Sequence, residues 1–159
     1  MSEKQTESYK LHAIQLIGLK VQELFIVISS NYEEDETSHQ SIDEGTFTWN
    51  IGYSEYDQIK HQIALKVSII IGDNEKDSPF SLKVSLLGIF EVDESRFPLM
   101  HIEHWAKNNA PLVLYPYLRE HVYSLTSRAG LKGVILPLFE VPTFRISKEL
   151  DKKTTPGKI

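Results

Sequence analysis

Few side chains in this sequence could do chemistry. His101-Ile102-Glu103-His104 places three metal-binding side chains within four residues. On a helix His101 and His104 stand three apart on one side, so an ion could bridge them. With Glu103 they form a candidate metal-dependent centre, although the neighbouring sequence supplies no evident third or fourth ligand for zinc. His121, between Arg119-Glu120 and Tyr123, could act as a general base, but no Gly-x-Ser-x-Gly or comparable nucleophile motif accompanies it. Gly130-Leu131-Lys132-Gly133 has neither the spacing nor the Lys-Ser/Thr pair of a phosphate-binding loop. Cysteine is absent, which removes thiolate nucleophiles, thiolate metal ligands and disulfides. These residues describe a binding or assembly module rather than an enzyme, with no cofactor expected.

The elements that position these residues come from a chain of 159 residues. A domain of that length buries roughly 70% of the surface its unfolded chain exposes. A formal net charge of −5 argues against unaided binding to nucleic-acid phosphates or anionic membrane. The first residues are polar, and no apolar run approaches the ~20 residues of a membrane helix. A soluble cytoplasmic protein is expected.

The clearest helix runs from Leu112 to Ala129. Pro116 lacks a backbone N–H and is expected in the first turn. Gly130 closes the helix and Arg128 sits at the negative end of its dipole. Leu118, Val122, Leu125 and Ala129 make one apolar stripe. Tyr115, Tyr117 and Tyr123 add aromatic surface beyond it, which suggests either cover for the helix edge or a second partner. A short helix, Leu99 to Lys107, precedes it, with Leu99, Ile102 and Ala106 on one face and a break at Asn108-Asn109-Ala110-Pro111.

Upstream the period is two. Lys10 to Ser30 reads as a long strand in which Ile17, Leu19 and Val21 oppose Ile14 and Leu16 in parity, so a bulge is expected near Leu16. Asn31 to Gly45 is an acidic loop. Phe47, Trp49, Ile51 and Tyr53 share one parity in the next strand. Gln58 to Ile71 alternates, with Ile59, His61, Ile63, Leu65, Val67, Ile69 and Ile71 in one row. A polar turn, Gly72 to Pro79, joins it to a second alternating run, Phe80 to Val92, as an antiparallel hairpin. Strands first and helices second give an α+β fold, with one long and one short helix on one face of an antiparallel sheet. The expected organisation is a disordered lead over residues 1–9, one domain over residues 10–147 and a flexible tail over residues 148–159.

Three stretches in order carry a resemblance. They are Ala110-Pro111-Leu112-Val113-Leu114-Tyr115-Pro116-Tyr117-Leu118-Arg119-Glu120, then Leu125-Thr126-Ser127-Arg128-Ala129-Gly130-Leu131, then Val134-Ile135-Leu136-Pro137. With Leu87-Gly88-Ile89-Phe90 upstream, they resemble the C-terminal half of SecB, the bacterial protein-export chaperone. That resemblance implies a four-stranded antiparallel sheet, a long helix and a crossover loop after the first strand. It also implies a homotetramer, a dimer of dimers whose long helices are sandwiched between sheets, with Tyr115, Arg119, Glu120 and Tyr123 at the assembly surface.

The activity it implies is ATP-independent holding of unfolded polypeptides in apolar grooves. Such a groove gains about 25 cal/mol per Å2 of apolar surface buried, without reading sequence. Phe25, Phe47, Trp49, Tyr53, Phe139 and Phe144 are the candidate client-binding residues. Two departures qualify the resemblance. Val21 and Phe25 stand where the family carries carboxylates for the translocation motor SecA, which weighs against docking to it, although Ile71 and Asp73 match a second contact. Past Pro137, Leu138-Phe139-Glu140-Val141-Pro142 replaces the family's pattern before its final helix. The Tyr-Pro-Tyr-x-Arg-Glu run is also similar to SecB-like chaperones of toxin–antitoxin systems, so a chaperone dedicated to one partner, such as an antitoxin, is the alternative.

Overall fold

The computed structural model describes residues 9–30, 47–72 and 78–140. Four strands, β1 (Ile14–Ile28), β2 (Phe47–Tyr53), β3 (Gln62–Ile71) and β4 (Phe80–Val92), form one antiparallel sheet in the order β1-β4-β3-β2. The expected β3–β4 hairpin is at its centre, in register from Ile71 opposite Leu82 to Gln62 opposite Glu91. Alternation sorts the two strands. Ile63, Leu65, Val67 and Ile69 of β3 and Leu82, Val84, Leu86 and Phe90 of β4 are sealed on one face. The other face carries Lys66, Lys83 and a buried Ser68–Ser85 hydroxyl pair at 2.8 Å. There the Glu23 carboxylate pairs with Lys83 at 2.9 Å and accepts from Ser85, and these contacts, Lys83 first, hold it below the usual carboxylate range.

β1 contains the anticipated irregularity and a second one. Its register against β4 shifts between Leu16 and Gly18 and again between Val21 and Glu23. Each extra residue flips the parity. As a result Ile14, Leu16, Leu19, Val21, Leu24, Ile26 and Ile28 all lie opposite inward residues of β4.

A single 3-10 turn, Leu99–His101, leads into α1 (Ile102–Asn108), and α2 (Ala110–Arg128) follows. Trp105 of α1 meets the Phe90 ring edge-on at 5.0 Å. α2 lies across β3 and β4 and buries Leu114, Leu118 and Val122. It packs directly on Gly88 of β4, where an added Cβ would stand 2.8 Å from a Leu114 methyl carbon.

Three expectations change. The helical break shrinks to one residue, Asn109, because Pro111 rather than Pro116 occupies the first turn; Pro116 lies inside α2. Leu112 thereby loses the amide that would have bonded its carbonyl. The buried stripe turns so that Thr126 is fully enclosed, while Leu125 and Ala129 are only partly covered. β3 starts at Gln62, not Gln58. The Asp57 carboxylate accepts from the amides of Ile59 and Lys60 and folds a turn, and His61 takes a left-handed φ of 56°. Ile59 consequently points to solvent.

Candidate functional site

The aromatic row of β2 forms the floor of the site. Phe47, Trp49, Ile51 and Tyr53 lie opposite Ile71, Ile69, Val67 and Leu65, so they share the helix-bearing face of the sheet. β2 is the edge strand and α2 lies over its inner neighbours, which leaves the row without a complete roof. Phe47 and Trp49 are half-buried, while Ile51 (41%) and Tyr53 (44%) are open.

The wall over the covered half is the segment that follows α2. Gly130, with φ of 84°, ends the helix and reverses the chain. Gly133 then passes close to α2, where a Cβ would stand 2.4 Å from the Tyr123 ring. From there residues 134–139 run back along the helix. Their backbone is held by side chains of α2. The Val134 amide donates to the Thr126 hydroxyl at 2.9 Å, Arg119 Nε donates to the Leu136 carbonyl at 3.1 Å, and the Tyr115 hydroxyl donates to the Pro137 carbonyl. Positions 115, 119 and 126 fall on one helix face, since four and eleven residues are close to whole turns. Leu136 is buried beneath this ladder, whereas Ile135 and Leu138 face out. Phe139 completes an aromatic cluster with centroid distances of 4.6 Å to Tyr115, 5.7 Å to Trp49 and 6.3 Å to Phe47. Trp49 meets Tyr115 edge-on at 5.4 Å. Burial pushes the Tyr115 hydroxyl up from its ordinary pKa, and nearby Arg119 offsets part of the rise.

The open end of the row is braced. The Ser54 amide donates to the Ala64 carbonyl, and Ser54 Oγ accepts from the Ala64 amide. The Glu94 carboxylate accepts from the Tyr56 hydroxyl at 2.7 Å and pairs with His61 at 2.8 Å. These two contacts hold Glu94 below the usual carboxylate range, while burial and then Glu94 itself push Tyr56 up.

Four of the six residues expected to bind clients, Phe47, Trp49, Tyr53 and Phe139, belong to this groove. Phe25 does not. It sits opposite Lys83 on the other sheet face, 52% exposed. Phe144 lies outside the described residues, as does Asp73. Ile71 is buried between Phe47 and Leu82. Tyr115 also departs from its expected place. It is 4% exposed beneath the returning segment, where it packs against Trp49 and Phe139 and walls the groove. Arg119 is committed to Leu136. Glu120 and Tyr123 are exposed on α2, as are Tyr117, the third tyrosine of the aromatic surface, and Val113, which had not been singled out. His101, Glu103 and His104 are exposed around the start of α1, and among the described residues no group of three metal-binding side chains is placed to hold an ion.

Sequence reasoning missed Ile51, Thr126 and the main-chain ladder. The parity of Ile51 with Trp49 and Tyr53 was visible. The two glycines, Gly130 and Gly133, signalled a reversal with a close approach.

The comparisons with known proteins agree with this architecture. The family described as preprotein translocase subunit SecB matches residues 31–141, well over half of the chain. Protein-export protein SecB of Saccharophagus degradans is 30% identical over 88 residues, covering 55% of this chain and 51% of that protein. The chain thus spans about half the length of that relative. An uncharacterised protein of Methanocaldococcus jannaschii is 25% identical over 129 residues, covering 81% of this chain and 80% of that protein. The fold is similar to that of the Mycobacterium tuberculosis Rv1957 SecB-like chaperone, solved in complex with a ChAD peptide from the Rv1956 HigA1 antitoxin. There the TM-score is 0.54 at 15% identity, over 80% of this chain and 91% of that one. A sheet ordered β1-β4-β3-β2 under one long helix, with the family pattern running through most of its length, means that the chain belongs to the SecB family.

Proposed function

We propose that this chain is an ATP-independent holdase that binds extended apolar segments of unfolded polypeptides along the aromatic row of β2. The observation that carries the reading is that row itself, covered at Phe47 and Trp49 and open at Ile51 and Tyr53. An open apolar floor is unfavourable in water, and burying it against a client's side chains returns free energy without sequence reading. Holding is an equilibrium, so this reading needs no catalytic group and no cofactor.

In the same reading residues 10–147 act as one cytoplasmic domain that assembles as a homotetramer, a dimer of dimers. The exposed face of α2 suits such assembly, with Val113, Tyr117, Glu120 and Tyr123 mixing apolar, aromatic and charged character. On β1, Leu19, Val21 and Leu24 face the helix side yet remain exposed. Docking to SecA is disfavoured in this reading, because Val21 and Phe25 stand where the family carries carboxylates.

A chaperone dedicated to one partner is the second reading. It is favoured by the likeness in fold to a SecB-like chaperone that holds an antitoxin peptide. Suppression of aggregation of a chemically unfolded model protein tests the first reading. Suppression at equimolar tetramer is expected. No suppression at tetramer excess overturns general holding, and a toxin–antitoxin gene pair beside this gene then favours the dedicated role.

A further inference from the structure

The returning segment is held in an unusual way. Among the described residues it forms no ladder with a strand, and the polar contacts from α2 go to its main chain: an amide at Val134 and carbonyls at Leu136 and Pro137. Its side chains repeat every three residues, with Leu136 and Phe139 inward and Ile135 and Leu138 outward. This is how an extended polypeptide is gripped when only its backbone and its apolar spacing are recognised.

We propose that Tyr115, Arg119 and Thr126 of α2 form a main-chain-reading site for extended polypeptide, and that the chain's own residues 134–139 are its resident occupant. The ligand class is an extended segment with apolar side chains three apart, matching Leu136 and Phe139. Any such segment offers the same amide and carbonyls, so the ladder places no further demand on sequence. A client that enters from the open end at Ile51 and Tyr53 displaces Phe139 from Trp49 and Tyr115 and takes over the hydrogen bonds. Gly130 and Gly133 supply the hinge, since one sits at positive φ and the other has no side chain to catch on Tyr123. The apparent affinity for clients is therefore reduced by the fraction of time the resident segment is seated. This rests on the holdase reading for its client, but not for the site itself.

Two titrations test it, with circular dichroism confirming the fold of each variant. In the first, a fluorescent, permanently unfolded protein is titrated with the wild-type chain, Phe139→Ala and Gly133→Val. Both substitutions loosen the resident segment and leave the side chains of Tyr115, Arg119 and Thr126 unchanged, so binding is expected to tighten by about threefold or more. Unchanged or weaker binding to both variants overturns the proposal and makes Phe139 a fixed wall. In the second, a labelled peptide of residues 133–140 is added in trans. Binding at least about fivefold tighter to Phe139→Ala than to wild type is expected, with loss on adding Arg119→Ala. Equal binding to both chains, or none, overturns it. If the wild-type chain binds no unfolded protein, the holdase reading fails, while the peptide titration still decides the site on α2.

Discussion

The ring of Phe139 lies 4.6 Å from that of Tyr115, and the Tyr115 hydroxyl donates to the carbonyl of Pro137, two residues earlier in the same segment. One side chain thus grips the segment by its backbone and by its apolar surface together. Tyr115 sits between α2 and the floor of the groove, so this grip bears on both stability and binding.

Alkali should release it. Burial raises the Tyr115 pKa above the ordinary 10.0. The folded state therefore holds this proton more tightly than the unfolded chain. Its contribution is complete below about pH 10 and is lost as pH rises through the folded pKa. Emission from Trp49, followed in a Trp105→Phe background, should change above about pH 10. Tyr115→Phe should remove that component and lower stability in urea at neutral pH by about 1 kcal/mol. An alkaline transition that persists in Tyr115→Phe contradicts the assignment.

Thr126→Val keeps shape and apolar contact but deletes the hydroxyl that accepts from the Val134 amide. A buried donor left unpaired costs about 1–3 kcal/mol. Urea unfolding should register that loss, and amide exchange at Val134 should accelerate more than at Leu118. Thr126→Ser should recover most of it. A stability change that Ser fails to rescue points to packing rather than the hydroxyl.

Ile51→Ser with Tyr53→Ser removes the open half of the floor. Both side chains are more than a third exposed, so stability should fall by no more than about 1 kcal/mol. Affinity for an unfolded protein should drop by roughly tenfold or more, the equivalent of one apolar side chain's burial. Fluorescence anisotropy at constant salt reads it, and unchanged affinity places the client elsewhere.

Acid should loosen the brace at the far end of β2. Glu94 is held below its ordinary 4.5, first by the Tyr56 hydroxyl and then by His61. Its contribution is present above about pH 4.5 and disappears as pH falls through the depressed folded value. Glu94→Gln should lower stability at neutral pH and flatten the acid limb of the stability profile. Parallel acid limbs in the two proteins show that Glu94 is not the group involved.

Much of this fold was legible because alternation needs no tertiary information. The rows of β3 and β4 and the parity of Phe47, Trp49, Ile51 and Tyr53 follow from a period of two. The bulge in β1 followed from a parity change between Leu16 and Ile17; the one near Val21 hid in a run where most residues are apolar. Pro116 misled because Pro111 fits a first turn equally well, and burial of Ala110, Leu114 and Tyr115 carries the helix through the second proline. Ile59 obeyed the strand parity, yet Asp57 captured the amides that a longer strand would have needed. The groove was half legible. Aromatic residues announce apolar surface wherever they fall, but the partnership of Thr126 with Val134 and of Arg119 with Leu136 depends on a chain reversal. No local pattern fixes where that reversal lands.

Gly88 has an effect well beyond its own strand. A methyl group there would stand 2.8 Å from a terminal carbon of Leu114, so the seat of that side chain against the sheet depends on position 88 having no Cβ. A bulkier residue at position 88 would drive the Leu114 side chain to another rotamer, and the packing between α2 and β4 would change while every aromatic side chain of the β2 row kept its identity.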